Sequence, residues 1–261
     1  MNVIEALLVG IIGVLAGALV NVLADDLPNR EPVRLPHYPD GAPRPPAAWL
    51  GITAFLTGHR TSPGGAKLSW RHPLVEMSLG IIYALMALGF PLDAQTAFYL
   101  LVLAVMMLIT VIDLEHKLIL FVVIIPASVL AIIESALLPV PPPALGDALL
   151  GGLLGLGVYG AIFVGGIGFS SLMGTSEIAF GFGDVMLGMF CGLLVGWQAF
   201  LFALMLTIFI GALGAVLYLV ARLVLRRQYA MFTALPYGPY MVLGTVIMLL
   251  WRDEVRNFLL R

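Results

Sequence analysis

GFGDVMLGMFCGLLVGWQAFLFALMLTIFIGALGAVLYLV, residues 181–220, sets one carboxylate, Asp184, at the head of a run with no charged side chain from Val185 to Val220. An ionised aspartate against hydrocarbon costs several kcal/mol, so a helix end, an ion or a reaction must hold it there. The run itself reads as membrane helix. The part from 184 to 196 is too short to cross alone at about 1.5 Å per residue, whereas 198–221 has the length of a span. The polar break GWQAF separates them.

Composition agrees with that reading. Of 261 residues, 61% are hydrophobic and 11% charged, against roughly 25% charged in soluble domains. The expected fold is all-α: a polytopic membrane helix bundle of about eight transmembrane helices, near 3–24, 73–91, 95–112, 118–138, 146–169, 184–196, 198–221 and 237–251. The N-terminal run lacks a basic n-region and is expected to stay as the first span. The expected organisation is a first transmembrane helix (1–24), a cytoplasmic Pro-rich loop or subdomain (25–72) and a seven-helix membrane domain (73–261). The middle segment is too polar to span and is dense in proline from Pro28 to Pro43.

Alternating the loops places Arg30, Arg34, Arg44, Arg60, Lys67, Arg71, Lys117, Arg222, Arg226 and Arg227 on one face. Arg252, Arg256 and Arg261 fall on the other. The positive-inside rule then predicts a multi-pass protein of the cell's inner membrane, with the large loop in the cytoplasm and both termini outside. Arg222, Arg226 and Arg227 are expected against lipid phosphates, so membrane lipids are one partner. A net charge of −2 argues against a nucleic-acid partner. The single cysteine, Cys191, excludes a disulfide framework or a cysteine zinc site within the chain and reads as a buried small side chain. Gly151 and Gly155 repeat at helical spacing, which predicts close helix packing.

Glu5, Asp93, Glu134, Asp147, Asp253 and Glu254 fall at predicted loops or helix ends and read as solvated. Asp113 and Asp184 do not. Asp184 can cap the helix that follows it. Asp113 ends an apolar helix, where a carboxylate faces the negative end of the dipole and gains nothing from capping. Two aspartates at one membrane depth could face each other. Like charges about 3 Å apart cannot both ionise, so one acid donates while the other activates water, which is aspartyl-protease chemistry. Gly181 and Gly183 would leave room for an extended peptide and can adopt positive φ. A transporter is the competing class, but its acids would favour mid-bilayer positions in broken helices with internal repeats. A noncatalytic assembly scaffold is a third reading, which requires the aspartates to be dispensable.

Five stretches, in order, are GALVNVLADDLP (17–28), SWRHPLVEMSLG (69–80), VIDLEHKLI (111–119), GFGDVMLG (181–188) and LPYGPYMVLG (235–244). Together they resemble the type IV prepilin peptidases, integral membrane aspartyl proteases, over nearly the whole chain. The resemblance implies that Asp113 and Asp184 are catalytic and need no metal, with Gly181, Gly183, Glu76, Asn21 and Arg71 supporting or binding substrate. It implies removal of the basic leader from prepilin and pseudopilin precursors at the cytoplasmic face. Many members bind zinc through two Cys-x-x-Cys pairs in the large loop; this chain lacks them, so no zinc is expected. S-adenosylmethionine enters only if the N-methylation of bifunctional members is retained; nothing in PHYPDGAPRPP announces a methyl-donor pocket. The family's usual Leu-Pro-Asp reads Ile119, Leu120 and Phe121 here, and its lysine two positions after the second aspartate is Met186. Loss of that lysine implies a shifted substrate preference or pH optimum. Asp25 and Asp26 are expected at a solvated helix end, where they could attract a basic leader. His116, Glu115 and Lys117 are expected on the surface of a turn.

Overall fold

The computed structural model describes residues 3–138, 143–173, 180–224 and 236–259. Arg226, Arg227 and Arg261 lie outside the described residues. Among the described residues the chain is helical, with two isolated β-bridges: α1 (Val3–Asp26), α2 (Gly51–Leu56), α3 (Arg71–Gly89), α4 (Ala94–His116), α5 (Phe121–Leu137), α6 (Leu145–Met173), α7 (Phe182–Val224), α8 (Gly238–Leu250) and α9 (Arg252–Leu259). Helices α1, α3, α4, α6 and α7 are long and apolar enough to cross a membrane; α5 and α8 are apolar but shorter. Each of the apolar segments read from the sequence is helical, and two of them are halves of α7. Two compact units divide the chain, Met1–Ile112 and Asp113–Arg261.

In the first unit α1 and α3 pack backbone to backbone. A Cβ on Gly13 would lie 2.5 Å from the Leu79 carbonyl oxygen, and one on Gly17 would lie 2.6 Å from the Glu76 Cα. Between these helices the Pro-rich segment forms a small subdomain with its own buried cluster of Tyr38, Ala48, Ala54 and Leu68. Two tight turns, closed by the bridges His37↔Pro43 and Thr61↔Lys67, are joined by a hydrogen bond from Ser62 Oγ to Asp40 Oδ2. That bond holds the exposed Asp40 carboxyl below the usual carboxylate range. Asp93 is exposed as expected and also caps α4, accepting the Thr96 N–H at 2.9 Å.

In the second unit α6 and the first half of α7 meet through glycine. A Cβ on Gly155 would lie 2.1 Å from the Gly188 oxygen, and one on Gly192 would lie 2.0 Å from the Gly151 oxygen. The close packing expected of Gly151 and Gly155 is therefore present, with Gly188 and Gly192 as its opposite face. Gly155→Leu forces the two backbones apart and is expected to cost more than about 3 kcal/mol. A drop in thermal midpoint in detergent, measured beside the open-space control Gly146→Ala, checks this.

Gly196 has φ 74 and ψ 165, which breaks the helix inside the 43-residue α7; only glycine takes that conformation without strain. The packing on α8 gives the direction of each half. Cys191 lies beside Thr245, and Arg252 donates to the Val195 carbonyl, so the first half runs parallel to α8. Beyond Gly196 the order inverts: Gly244 lies against Ala203 and Thr207, whereas Gly211 and Gly214 lie against Tyr240. The chain thus doubles back at Gly196, and the short segment before it is one arm of a helical hairpin. Cys191 is buried, as expected. Glu134, read as a solvated acid at a helix end, does lie in the last turn of α5 but is buried at 8% exposure.

Candidate active site

Helix α4 delivers Asp113 at its C-terminal end, buried at 4% exposure. Lys117 then takes φ 54 and donates its N–H to the Asp113 carbonyl at 2.9 Å, closing the helix with a left-handed residue. What holds the carboxylate at this unfavourable end is another helix. Gly238, the first residue of α8, donates its N–H to Asp113 Oδ2 at 3.0 Å. The positive end of α8 therefore offsets the negative end of α4. Gly238 has to lack a side chain, since a Cβ there would lie 2.6 Å from Asp113 Oδ2.

Asp184 lies in the first turn of α7, two residues after the helix begins at Phe182, not at the N-cap. Its Oδ2 accepts the Gly181 N–H at 2.9 Å while its own N–H reaches the Gly181 oxygen at 3.1 Å. This is the third-residue half of a capping box, so the expectation that Asp184 caps its helix holds by a different bond than supposed. Gly183 is pressed on Ile119, whose Cβ would lie 2.9 Å from a Gly183 Cβ. Neither Gly181 nor Gly183 uses the positive φ open to glycine. At Gly183 the requirement is missing volume, which lets the start of α7 close on the turn after α4.

Two phenylalanines fix the loop around Gly181. Phe180 stacks on Tyr159 with centroids 5.6 Å apart and meets Tyr237 edge-on at 5.7 Å. Phe182 meets Phe121 and Phe163 edge-on at 6.0 and 5.9 Å. Each such pair contributes about 0.5–1.5 kcal/mol beyond its buried area. Because Tyr237 adjoins Gly238, the same aromatic cluster ties the Asp184 loop to the donor that holds Asp113. Phe180, Tyr237 and Gly238 were not singled out from sequence, although the PYGPY stretch contains two of them.

Met186, where the resemblance leads to lysine, lines an apolar cavity of about 480 Å³ with Ile125, Val129, Leu153, Leu156 and Met189. A lysine ammonium there would be seated among hydrocarbon, so methionine matches its surroundings. Glu115, His116 and Lys117 are exposed, as expected, but Glu115 and His116 belong to the last turn of α4 and not to a turn after it.

Asn21, Arg71 and Glu76 lie together in the first unit. Glu76, 1% exposed, accepts the N–H groups of Gly51 and Ile52 at 2.6 and 2.8 Å, and Asn21 Nδ2 donates to the His72 oxygen at 3.0 Å. Arg71 and His72 close on Asp25, and buried Arg44 approaches it at 3.8 Å. Asp26, 1% exposed, accepts the Arg34 N–H at 2.8 Å and pairs with His37 at 3.4 Å. Asp25 and Asp26 are therefore internal counter-ions, not a solvated helix end, because basic residues of the following segment fold back on them. Glu76→Ala leaves two backbone donors without their acceptor and is expected to cost about 2–4 kcal/mol, read as a lowered thermal midpoint.

A family match covers residues 100–216, described as the type IV leader peptidase family. The chain is 28% identical to a prepilin leader peptidase/N-methyltransferase of Stutzerimonas stutzeri, over 94% of this chain and 90% of that protein. It is 27% identical to proteins of the same name in Aeromonas salmonicida, over 83% of this chain and 68% of the relative, and in Pseudomonas aeruginosa, over 78% and 66%. No solved structure matches. The matched segment carries both aspartates and most of the helices that hold them, and the chain is similar to the type IV leader peptidase family over that segment and to these relatives over most of its length.

Proposed function

We propose that this protein is a membrane aspartyl endopeptidase that removes the basic leader peptide from prepilin-like precursors at the cytoplasmic face. The observation that carries this reading is the placement of Asp113 and Asp184: two carboxylates from different helices, each held by a backbone N–H at a helix start, with the Phe180–Tyr237 contact joining the loop of one to the donor of the other.

In the proposed reaction one carboxylate takes a proton from water as its oxygen attacks the scissile carbonyl carbon. The other carboxyl gives its proton to the carbonyl oxygen, forming a tetrahedral diol. Collapse breaks the C–N bond, with a proton passing to the leaving amine. The chemistry uses only these two acids and water. The charge pattern supports eight crossings, a cytoplasmic 25–72 segment and both termini outside, which brings the paired aspartates to the face where a leader would be presented.

Co-expression with a precursor that has a basic leader before an apolar helix tests the reading. The expected result is a shortened product whose mass corresponds to loss of the leader; a precursor that keeps its leader overturns it. The mass of the same product decides whether S-adenosylmethionine-dependent methylation accompanies cleavage, as the relatives' names pair the two activities.

A further inference from the structure

Trp70 immediately precedes α3, a helix long and apolar enough to cross a membrane. It also heads a stripe along that helix. Trp70, Leu74, Met77, Ile81, Leu85 and Leu88 are 50–60% exposed, and their spacing puts them on one helical face. Leu74 to Leu88 is the surface that α3 offers to acyl chains, so Trp70 stands at the polar margin of that surface, where tryptophan is favoured.

Helix α2 is fastened at the same level. Its first N–H groups bond to Glu76, and a Cβ on Gly51 would lie 2.6 Å from the His72 Cβ. Glu76 lies about 7 Å along α3 from Arg71, so the start of α2 sits below the point where α3 begins. Phe55 meets Trp70 with centroids 4.5 Å apart, and the Arg60 guanidinium lies 4.8 and 5.4 Å from the two ring centres. Leu56, at the other end of α2, is 81% exposed. An apolar surface continuous with a lipid-facing stripe, with a cation stacked at its edge, has the chemistry of the headgroup layer.

We propose that α2 and Trp70 form an interfacial anchor, with Leu56 and Trp70 reaching the upper acyl chains and Arg60 turned to lipid phosphate. The segment between α1 and α3 then lies on the bilayer surface and is not a free loop.

The test uses the full chain in phosphatidylethanolamine–phosphatidylglycerol vesicles, with Trp49, Trp197 and Trp251 changed to Phe so that Trp70 alone emits. A second protein carries Leu56→Trp with all four native tryptophans changed to Phe; Leu56 is so exposed that this exchange leaves the core intact. Lipid brominated near the headgroup is expected to remove roughly half the emission of either protein, lipid brominated near the chain end less, and aqueous iodide little. Quenching of either tryptophan by iodide and not by bromine overturns the proposal. Protection from both quenchers overturns it too, since protein would then cover the patch.

Discussion

Asp113→Asn and Asp184→Asn, each alone, are expected to slow leader removal at least about 10³-fold, since general acid–base groups contribute in this range and the pair acts as one unit. The amide cannot take a proton from water, nor give one to the carbonyl oxygen. Asparagine still presents an oxygen in nearly the same place, so Asp113→Asn can accept the Gly238 N–H and Asp184→Asn the Gly181 N–H. The thermal midpoints should therefore stay near the parent value while the rate collapses. The double variant should be no slower than the slower single, because once one member is lost the other has no partner. Initial rates on a detergent-solubilised precursor, with midpoints taken from the same preparations, check all three statements. If either single variant cleaves at the parent rate, the paired-acid mechanism is wrong, whatever the family.

Much of this site was legible because it is local. The apolar runs end where the helices end, and Asp113 and Asp184 stand out as carboxylates beside runs that exclude charge. The turn at Gly196 was visible as the polar break GWQAF. Legibility stops where a partner comes from far along the chain. Asp113 is held by a backbone N–H from Gly238, and a backbone donor leaves no mark in side-chain pattern beyond the glycine that makes room for it. The same holds for Asp25 and Asp26: next to a helix end they look solvated, and only the folding of Arg34, His37, Arg44, Arg71 and His72 onto them makes them counter-ions. Gly183 was legible as a glycine needed for its missing side chain, which the sequence assigned to room for a peptide; the Ile119 contact shows that the turn after α4 occupies that room.

Gly238→Ala is the substitution that separates position from chemistry. The added methyl would lie 2.6, 3.1 and 3.5 Å from Oδ2, Cγ and Cβ of Asp113. All three atoms belong to one buried side chain, so the carboxylate must turn away and its hydrogen bond to α8 is lost. The backbone does not oppose the methyl: alanine is a better helix former than glycine, by about 1 kcal/mol in a helix interior. The fold should hold, and the cost should fall on geometry. A displacement near 1 Å at a reacting group costs about 10²-fold in rate, so leader removal should slow by that factor with the thermal midpoint within a few degrees of the parent, as for Gly146→Ala, where a Cβ meets nothing within 4 Å. Adding Asp113→Asn to Gly238→Ala should slow the reaction only to the level of Asp113→Asn alone, because both changes disable the same carboxyl group. If Gly238→Ala retains the parent rate, the α8 donor serves the helix and not the reaction, and the positioning of Asp113 must be sought in the turn that Lys117 closes.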